Sequence, residues 1–222
     1  MPVVNIRDGD GTIQQVLNIQ FGGGSGDGGE DKIAKLVQGT IEGDYVSDEV
    51  TSLRTGAFCR CANLTSVSLP NCTEFVGFRQ FAECTKMTTL NLPKLETIAE
   101  GNQNFGNLTC VGEIRLPSLT TISASSATFT NCRNIKKIIM PLLSGSTIGS
   151  SCFDNNYWLD TLVLGGDTLN PLGNTNAFRN AGTYVTGGLS IYVPDNLVDT
   201  YKTATNWTAY ADKIRPMSEL EE

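Results

Sequence analysis

The chain has 222 residues, of which 40% are hydrophobic and 18% charged, enough to bury a substantial core. Its net charge of −7 is uneven, since residues 27–49 hold seven acids against Lys32 and Lys35 while residues 50–194 hold eight acids against ten bases. An acidic chain with no basic stripe argues against nucleic acid as a partner, no run approaches the ~18 apolar residues of a membrane span, and the opening Met1-Pro2-Val3-Val4-Asn5-Ile6-Arg7-Asp8 lacks the basic and apolar regions of a signal peptide. The expectation is a chain with no nucleic-acid partner, no membrane insertion and no signal peptide.

Residues 3–20 read as a β-hairpin: two β-rich runs, Val3 to Arg7 and Thr12 to Leu17, flank the turn signal Asp8-Gly9-Asp10-Gly11. A two-stranded hairpin is marginal alone in water, so this one is expected to dock on something, and residues 1–21 are assigned as an anchor. Residues 22–31 follow as a glycine-rich linker, which should uncouple the hairpin from the rest. Ile33 to Ile41 and Val46 to Leu53 then read as an irregular first coil.

From Phe58 a single pattern takes over: an aromatic, usually a small residue three later, then spaced aliphatics closed by proline. The copies are Phe58-Cys61-Leu64-Val67-Leu69-Pro70, Phe81-Cys84-Met87-Leu90-Leu92-Pro93, Phe105-Leu108-Val111-Ile114-Leu116-Pro117, Phe129-Cys132-Ile135-Ile138-Met140-Pro141, Phe153-Asn156-Leu159-Leu162-Leu164-Gly165 and a degenerate Phe178-Ala181-Leu189-Ile191-Val193-Pro194. The phenylalanines step by 23, 24, 24, 24 and 25 residues. A period of 20–29 residues marks a leucine-rich repeat solenoid. Residues 32–194 are therefore assigned to a solenoid with a parallel β-strand ladder and an irregular convex side. Alternation such as Leu90-Asn91-Leu92 supplies one short strand per coil.

Seven cysteines are present, and Cys61, Cys84 and Cys132 hold the same place in their coils. An odd number with one recurrent copy per coil reads as reduced, buried thiols, against the alternatives of disulfides or a metal site. Cys59 is expected on the coil surface beside a buried Cys61. Residues 195–222 form the other end: Asp195 is expected to N-cap a short amphipathic helix through Lys202, and a second turn around Trp207 to Ile214 completes a C-terminal helical cap.

The chain contains no histidine, which removes the commonest general base and metal ligand, and no catalytic residue or cofactor is expected. Cys59-Arg60-Cys61 has no second ligand pair for zinc, and Asp8-Gly9-Asp10-Gly11-Thr12 lacks the twelfth-position glutamate of a calcium loop, a place held by Ile19. The glycine run at 22–29 has no following Lys-Ser/Thr, so it does not read as a phosphate cradle. Asn63, Asn71, Asn107 and Asn206 begin Asn-x-Thr triplets, and a role in holding backbone groups at coil corners is expected of such residues.

The outward side chains of the ladder are the best remaining lead. One column runs Ser66, Thr89, Glu113, Lys137, Thr161, Ser190, and the other Ser68, Asn91, Arg115, Ile139, Val163, Tyr192. The second column turns apolar toward the C-terminal coils, where Tyr157 and Trp158 also lie. Glu113, Arg115, Lys137, Ile139, Tyr157, Trp158, Val163 and Tyr192 are thus the candidate interaction surface, either for a ligand or for packing under the cap or against a sister chain.

The pattern Phe-x2-Cys-x2-Leu-x2-Leu-x-Leu-Pro resembles BspA-type leucine-rich repeats, and the segments around Val50 to Leu53 and Ile191 to Trp207 resemble that family's opening and closing segments. The resemblance implies a non-enzymatic interaction module. Exported members are adhesins; similar unexported versions occur among phage and prophage structural genes of gut bacteria. The function expected from this is a virion-associated tail or capsid decoration that binds a protein or glycan ligand through the repeats and a virion structural protein through the hairpin. The alternative is a bacterial cell-surface adhesin or an intracellular scaffold at the surface or in the cytoplasm, and a homo-oligomer is compatible with either.

Overall fold

The computed structural model describes residues 4–7, 13–16, 41–123 and 127–221. The turn at 8–11, the linker at 22–31 and residues 33–40 of the first coil lie outside the described residues. Strands β1 (Val4–Arg7) and β2 (Ile13–Val16) pair antiparallel, Val4 opposite Val16 and Arg7 opposite Ile13. The hairpin does not stand free as the linker suggested. β1 pairs antiparallel with β3 (Gly43–Val46), so the sheet order begins β2-β1-β3 and the hairpin covers the first coil's strand edge.

The solenoid ladder continues through β5 (Leu64–Ser68) and β7 (Thr89–Asn91), then β9 (Glu113–Arg115), β11 (Lys137–Met140), β12 (Thr161–Leu164) and β13 (Ser190–Val193), all parallel where they pair. Beside it, four two-residue strands form a second parallel ladder: β4 (Ser52–Leu53), β6 (Glu74–Phe75), β8 (Thr97–Ile98) and β10 (Thr121–Ile122). The side expected to be irregular thus carries its own sheet over the opening irregular coil and the first three phenylalanine coils. Phe75 and Ile98 point inward from it and are fully buried.

The phenylalanine spacing becomes an interior column. Successive rings of Phe58, Phe81, Phe105, Phe129, Phe153 and Phe178 stack with centroids 5.2, 6.0, 4.9, 5.4 and 5.1 Å apart and planes within 14° of parallel. Tyr45 closes one end edge-on to Phe58 at 4.9 Å, and Trp207 and Tyr210 close the other against Phe178 at 5.6 and 5.0 Å. A buried aromatic carries a large apolar area, and parallel rings add to it, in keeping with phenylalanine at this position in all six coils.

The recurrent cysteine has a partner as well as a place. The Cys84 thiol donates to the Phe58 carbonyl at 2.9 Å, the Cys132 thiol to Phe105 at 2.8 Å, and the Asn156 amide, standing where cysteine is expected, to Phe129 at 3.0 Å. Each link ties one coil to the one before it. Leu108 holds this position in the third coil; it is bulkier and has no donor. At that junction the ladder breaks: β7 is the last strand of one sheet and β9 the first of the next. Leu90, whose equivalents Val67, Ile114 and Ile138 are buried, is only half-buried there, and the 6.0 Å ring spacing is the widest of the column. A cleft of ≈ 460 Å³ opens between the strands, lined by Thr89, Leu90, Gly112, Glu113, Arg115 and Lys137 among others.

Tight corners need a left-handed backbone twice per coil. Two residues after each phenylalanine φ is positive, at Arg60 (62°), Glu83 (66°), Asn107 (61°), Asn131 (59°), Asn155 (60°) and Asn180 (62°). Asparagine tolerates this region best among non-glycine residues. The side chains then link coil to coil: Asn131 donates to Asn107, Asn180 to Asn155 at 2.9 Å, and Arg60 to Glu83 at 3.2 Å. Gly165, which replaces proline in the fifth coil, sits where a Cβ would come within 2.5 Å of the Pro141 carbonyl oxygen.

The cap is built differently from the expectation. After a short 3-10 turn at Asp195–Leu197 comes helix α1 (Val198–Thr203), but the Asp195 carboxylate accepts from the Ser218 amide at 3.1 Å instead of capping it. The 3-10 segment Trp207–Lys213 runs into β14 (Ile214–Pro216), which adds in parallel to β13 as the ladder's last strand. Asn170 ties this cap to the coils. Its side-chain oxygen accepts from the Ser146 amide (3.0 Å), its side-chain nitrogen donates to Leu143 O (3.1 Å) and Tyr201 Oη (3.0 Å), its backbone N–H donates to Tyr201 Oη (3.0 Å), and its carbonyl accepts from Trp207 Nε1 (2.8 Å). All three of Asn170, Tyr201 and Trp207 are fully buried, so every one of these bonds is shielded from water.

Candidate interaction surface

The outward columns form in the register expected: Ser66 beside Thr89, Glu113 beside Lys137, Lys137 beside Thr161 and Thr161 beside Ser190. The second column runs Arg115, Ile139, Val163, Tyr192 and ends at Arg215 of β14. The break between β7 and β9 cuts both columns between Thr89 and Glu113 and between Asn91 and Arg115. Glu113 and Arg115 are exposed and pair with one another at 3.0 Å across a single strand. Such a pair in water contributes little to stability, so it is available to a partner.

Ile139 and Val163 leave the candidate surface. Although they point outward by alternation, they are 8% and 1% exposed, while Tyr192 and Lys137 are half-buried. The apolar part of that column is therefore closed to solvent. Trp158 remains, at 45% exposure, and Tyr157 is half-buried beside it.

Sequence reasoning missed Tyr184, which lies in the seven-residue insertion of the last coil at 182–188. The Tyr184 backbone N–H donates to the Tyr157 carbonyl at 2.9 Å, which brings its ring parallel to that of Tyr157 (4.9 Å, 20°) and edge-on to Trp158 (5.7 Å, 72°). The insertion breaks the repeat spacing, so no register in the sequence pointed to this pairing. Nearby, Arg179 donates to Asp154 at 3.0 Å, and that bond together with the carboxylate charge raises the guanidinium pKa further.

Cysteine chemistry divides sharply. All seven thiols are free, and six are buried, including Cys59, which was expected at the surface. Burial pushes the Cys72 thiol up to about 11 and those of Cys132 and Cys152 up to about 12. Held protonated, these are poor nucleophiles. Cys110 alone is exposed. Among the described residues no group of three or more histidine, cysteine, aspartate or glutamate side chains is placed to hold a metal ion, and no helix is long and apolar enough to cross a membrane. Of the Asn-x-Thr residues, Asn71 and Asn206 do hold backbone carbonyls, of Asp48 (2.8 Å) and Leu172 (2.7 Å), whereas Asn63 bonds Glu42 and Asn107 bonds Asn131.

Coils of near-constant length, a parallel ladder and a phenylalanine spine define a leucine-rich repeat solenoid. The chain belongs to the BspA-type leucine-rich repeat family, whose repeat model matches six copies over residues 45–183. Repeats of this family typically serve as non-enzymatic scaffolds for protein interaction. Among solved structures, the leucine-rich repeat protein of T. pallidum matches with a TM-score of 0.48 and 20% identity, over 78% of this chain and 88% of that one. No curated protein matches the chain.

Proposed function

We propose that the protein is a virion-associated decoration of a phage or prophage particle, on tail or capsid, that presents its repeat surface for adhesion or receptor binding. The observation that carries this reading is the division of chemistry between inside and outside. Inside, recurrent polar side chains such as Cys84, Cys132, Asn156 and Asn170 are occupied in joining one coil to the next. Outside, the Glu113–Arg115 pair, the lysine at 137 and the aromatic cluster at 157, 158 and 184 are turned toward solvent to varying degrees.

The hairpin supplies the attachment. β1 is sandwiched between β2 and β3, and β2 is the last strand of its sheet among the described residues, so its outer edge would offer main-chain groups to a strand of a virion structural protein. Deleting residues 1–29 should then leave a folded repeat body that no longer joins the particle. Cryo-electron microscopy of particles made with and without the gene tests the assignment: density present in one and missing in the other supports it, and identical particles refute it.

A further inference from the structure

Tyr157, Trp158 and Tyr184 make a preformed aromatic platform on the surface of the fifth and sixth coils. Tyr184 is 61% exposed and Trp158 45%, although apolar rings in such positions are ordinarily withdrawn from water. The rings are fixed from below. Tyr184 N–H is bonded to the Tyr157 carbonyl, and Tyr157 Oη donates to Asn155 Oδ1 at 3.2 Å. The insertion that carries Tyr184 is bounded by Gly182, Gly187 and Gly188 at φ of 68°, 88° and 77°, and a Cβ at 182 would lie 2.6 Å from Leu189 N and 2.8 Å from Leu159 O. No other coil has this loop.

We propose that this platform binds a neutral hexose polymer, the apolar face of a pyranose ring lying on Trp158 and Tyr184. The inference deepens the display reading above and rests on it for its biological setting. Three observations select the occupant. First, the size: a whole aromatic side chain carries 150–250 Å², so the exposed parts of Trp158 and Tyr184 amount to roughly 250 Å². A stable protein interface needs about 800 Å² on each partner, so neither a second copy nor another protein is held by this patch, whereas one or two sugar rings fill it.

Second, the rim: Asn155 Oδ1 is already occupied by Tyr157 and Asn180, which leaves the Asn155 amide donors and the Asn180 amide oxygen without a partner beside the rings. A donor and an acceptor side by side are what neighbouring hydroxyls of a sugar require. Third, the charge: the coils that carry the platform are near neutral, eight acids against ten bases over residues 50–194, and Arg179 beside it is already paired with Asp154, so the site offers no basic cluster to a polyanion.

The chain's two tryptophans make the test direct, because Trp207 is fully buried and Trp158 alone is open to a quencher. Acrylamide quenching of the full chain is measured with cellohexaose, mannohexaose, maltohexaose and a galactan oligomer as probes, and with heparin as the polyanion. Shielding of Trp158 by at least one neutral oligomer is expected, with Tyr184→Ala weakening that binding about tenfold by calorimetry while the far-UV spectrum is unchanged.

Failure of all four neutral probes to shield Trp158 overturns the proposal, as does shielding by heparin alone or sugar binding that Tyr184→Ala leaves intact. Particles that lack the protein refute display but leave this binding in place; a particle-borne protein that binds no hexose does the reverse.

Discussion

Replacing Tyr201 with phenylalanine removes one oxygen and should destabilise the C-terminal half of the solenoid out of proportion to its size. The hydroxyl accepts from both the backbone and the side chain of Asn170, at 3.0 Å each, in a site sealed from solvent. The ring itself stays, edge-on to Trp207 at 5.0 Å, so no cavity forms. What remains is two buried N–H groups without an acceptor, at about 1–3 kcal/mol each, for a total of roughly 2–6 kcal/mol.

In a linear array the loss should also be local before it is global, because each coil leans only on its neighbours. Urea unfolding followed by Trp207 emission and by far-UV circular dichroism should therefore show the tryptophan transition moving to lower urea ahead of the dichroism. Tyr201→Phe combined with Asn170→Ala should cost less than the sum of the two single changes, since both remove the same bond. A loss below about 0.5 kcal/mol in Tyr201→Phe would refute the claim that Asn170 is the point where cap and coils are joined.

Phe129→Ala, at the centre of the aromatic column, should cost about 3–5 kcal/mol, while Leu142→Ala, at a leucine left largely exposed, should stay within ~0.5 kcal/mol by the same unfolding measurement. Asn131→Ala should lose about 1–2 kcal/mol through its left-handed backbone, and Asn131→Gly should lose less because glycine adopts that backbone freely. In the native protein a thiol-specific alkylating reagent should modify Cys110 and spare the six buried cysteines, as counted by mass spectrometry. Because the folded pKa values of Cys132 and Cys152 are raised, from 9.0 to about 12, the unfolded chain loses those protons first as pH climbs. Their contribution is complete below pH 9 and lost between about 9 and 12, at ~1.4 kcal/mol per pH unit for each thiol, so Cys152→Ala should flatten the alkaline limb of a stability-against-pH curve.

The solenoid was legible in the sequence because its cause is periodic. Six phenylalanines at 23–25-residue steps and the aliphatic alternation specify an interior, and the structure places each of those rings in one column. Where the repeat breaks, the reading broke with it. Tyr184 sits in an insertion with no register, and β14 is formed by Ile214-Arg215-Pro216, a run too short to show alternation. Ile139 and Val163 failed for another reason: alternation gives the direction a side chain points and says nothing of whether solvent reaches it. The hairpin's pairing to β3 was equally hidden, since the glycine-rich linker argues for independence and the free strand edge of the first coil argues against it.

The gap between β7 and β9 makes the protein mechanically unequal along its length. Where the main ladder stitches one coil to the next, bending stretches a whole row at once; at the Leu108 junction that row is missing, and the phenylalanine column, the second ladder and the corner bonds Phe81 N–H to Asn104 O and Glu83 N–H to Gly106 O carry the strain. Load applied to the two ends should therefore flex the rod there, carrying coils one and two with the hairpin as one stiff arm and coils three to six with the aromatic platform as the other. An elbow of this kind lets one arm stay seated while the other sweeps for contacts. Leu108→Cys, by restoring a donor toward the Phe81 carbonyl, should straighten it, seen as slowed hydrogen exchange at the Leu92 and Gly112 amides.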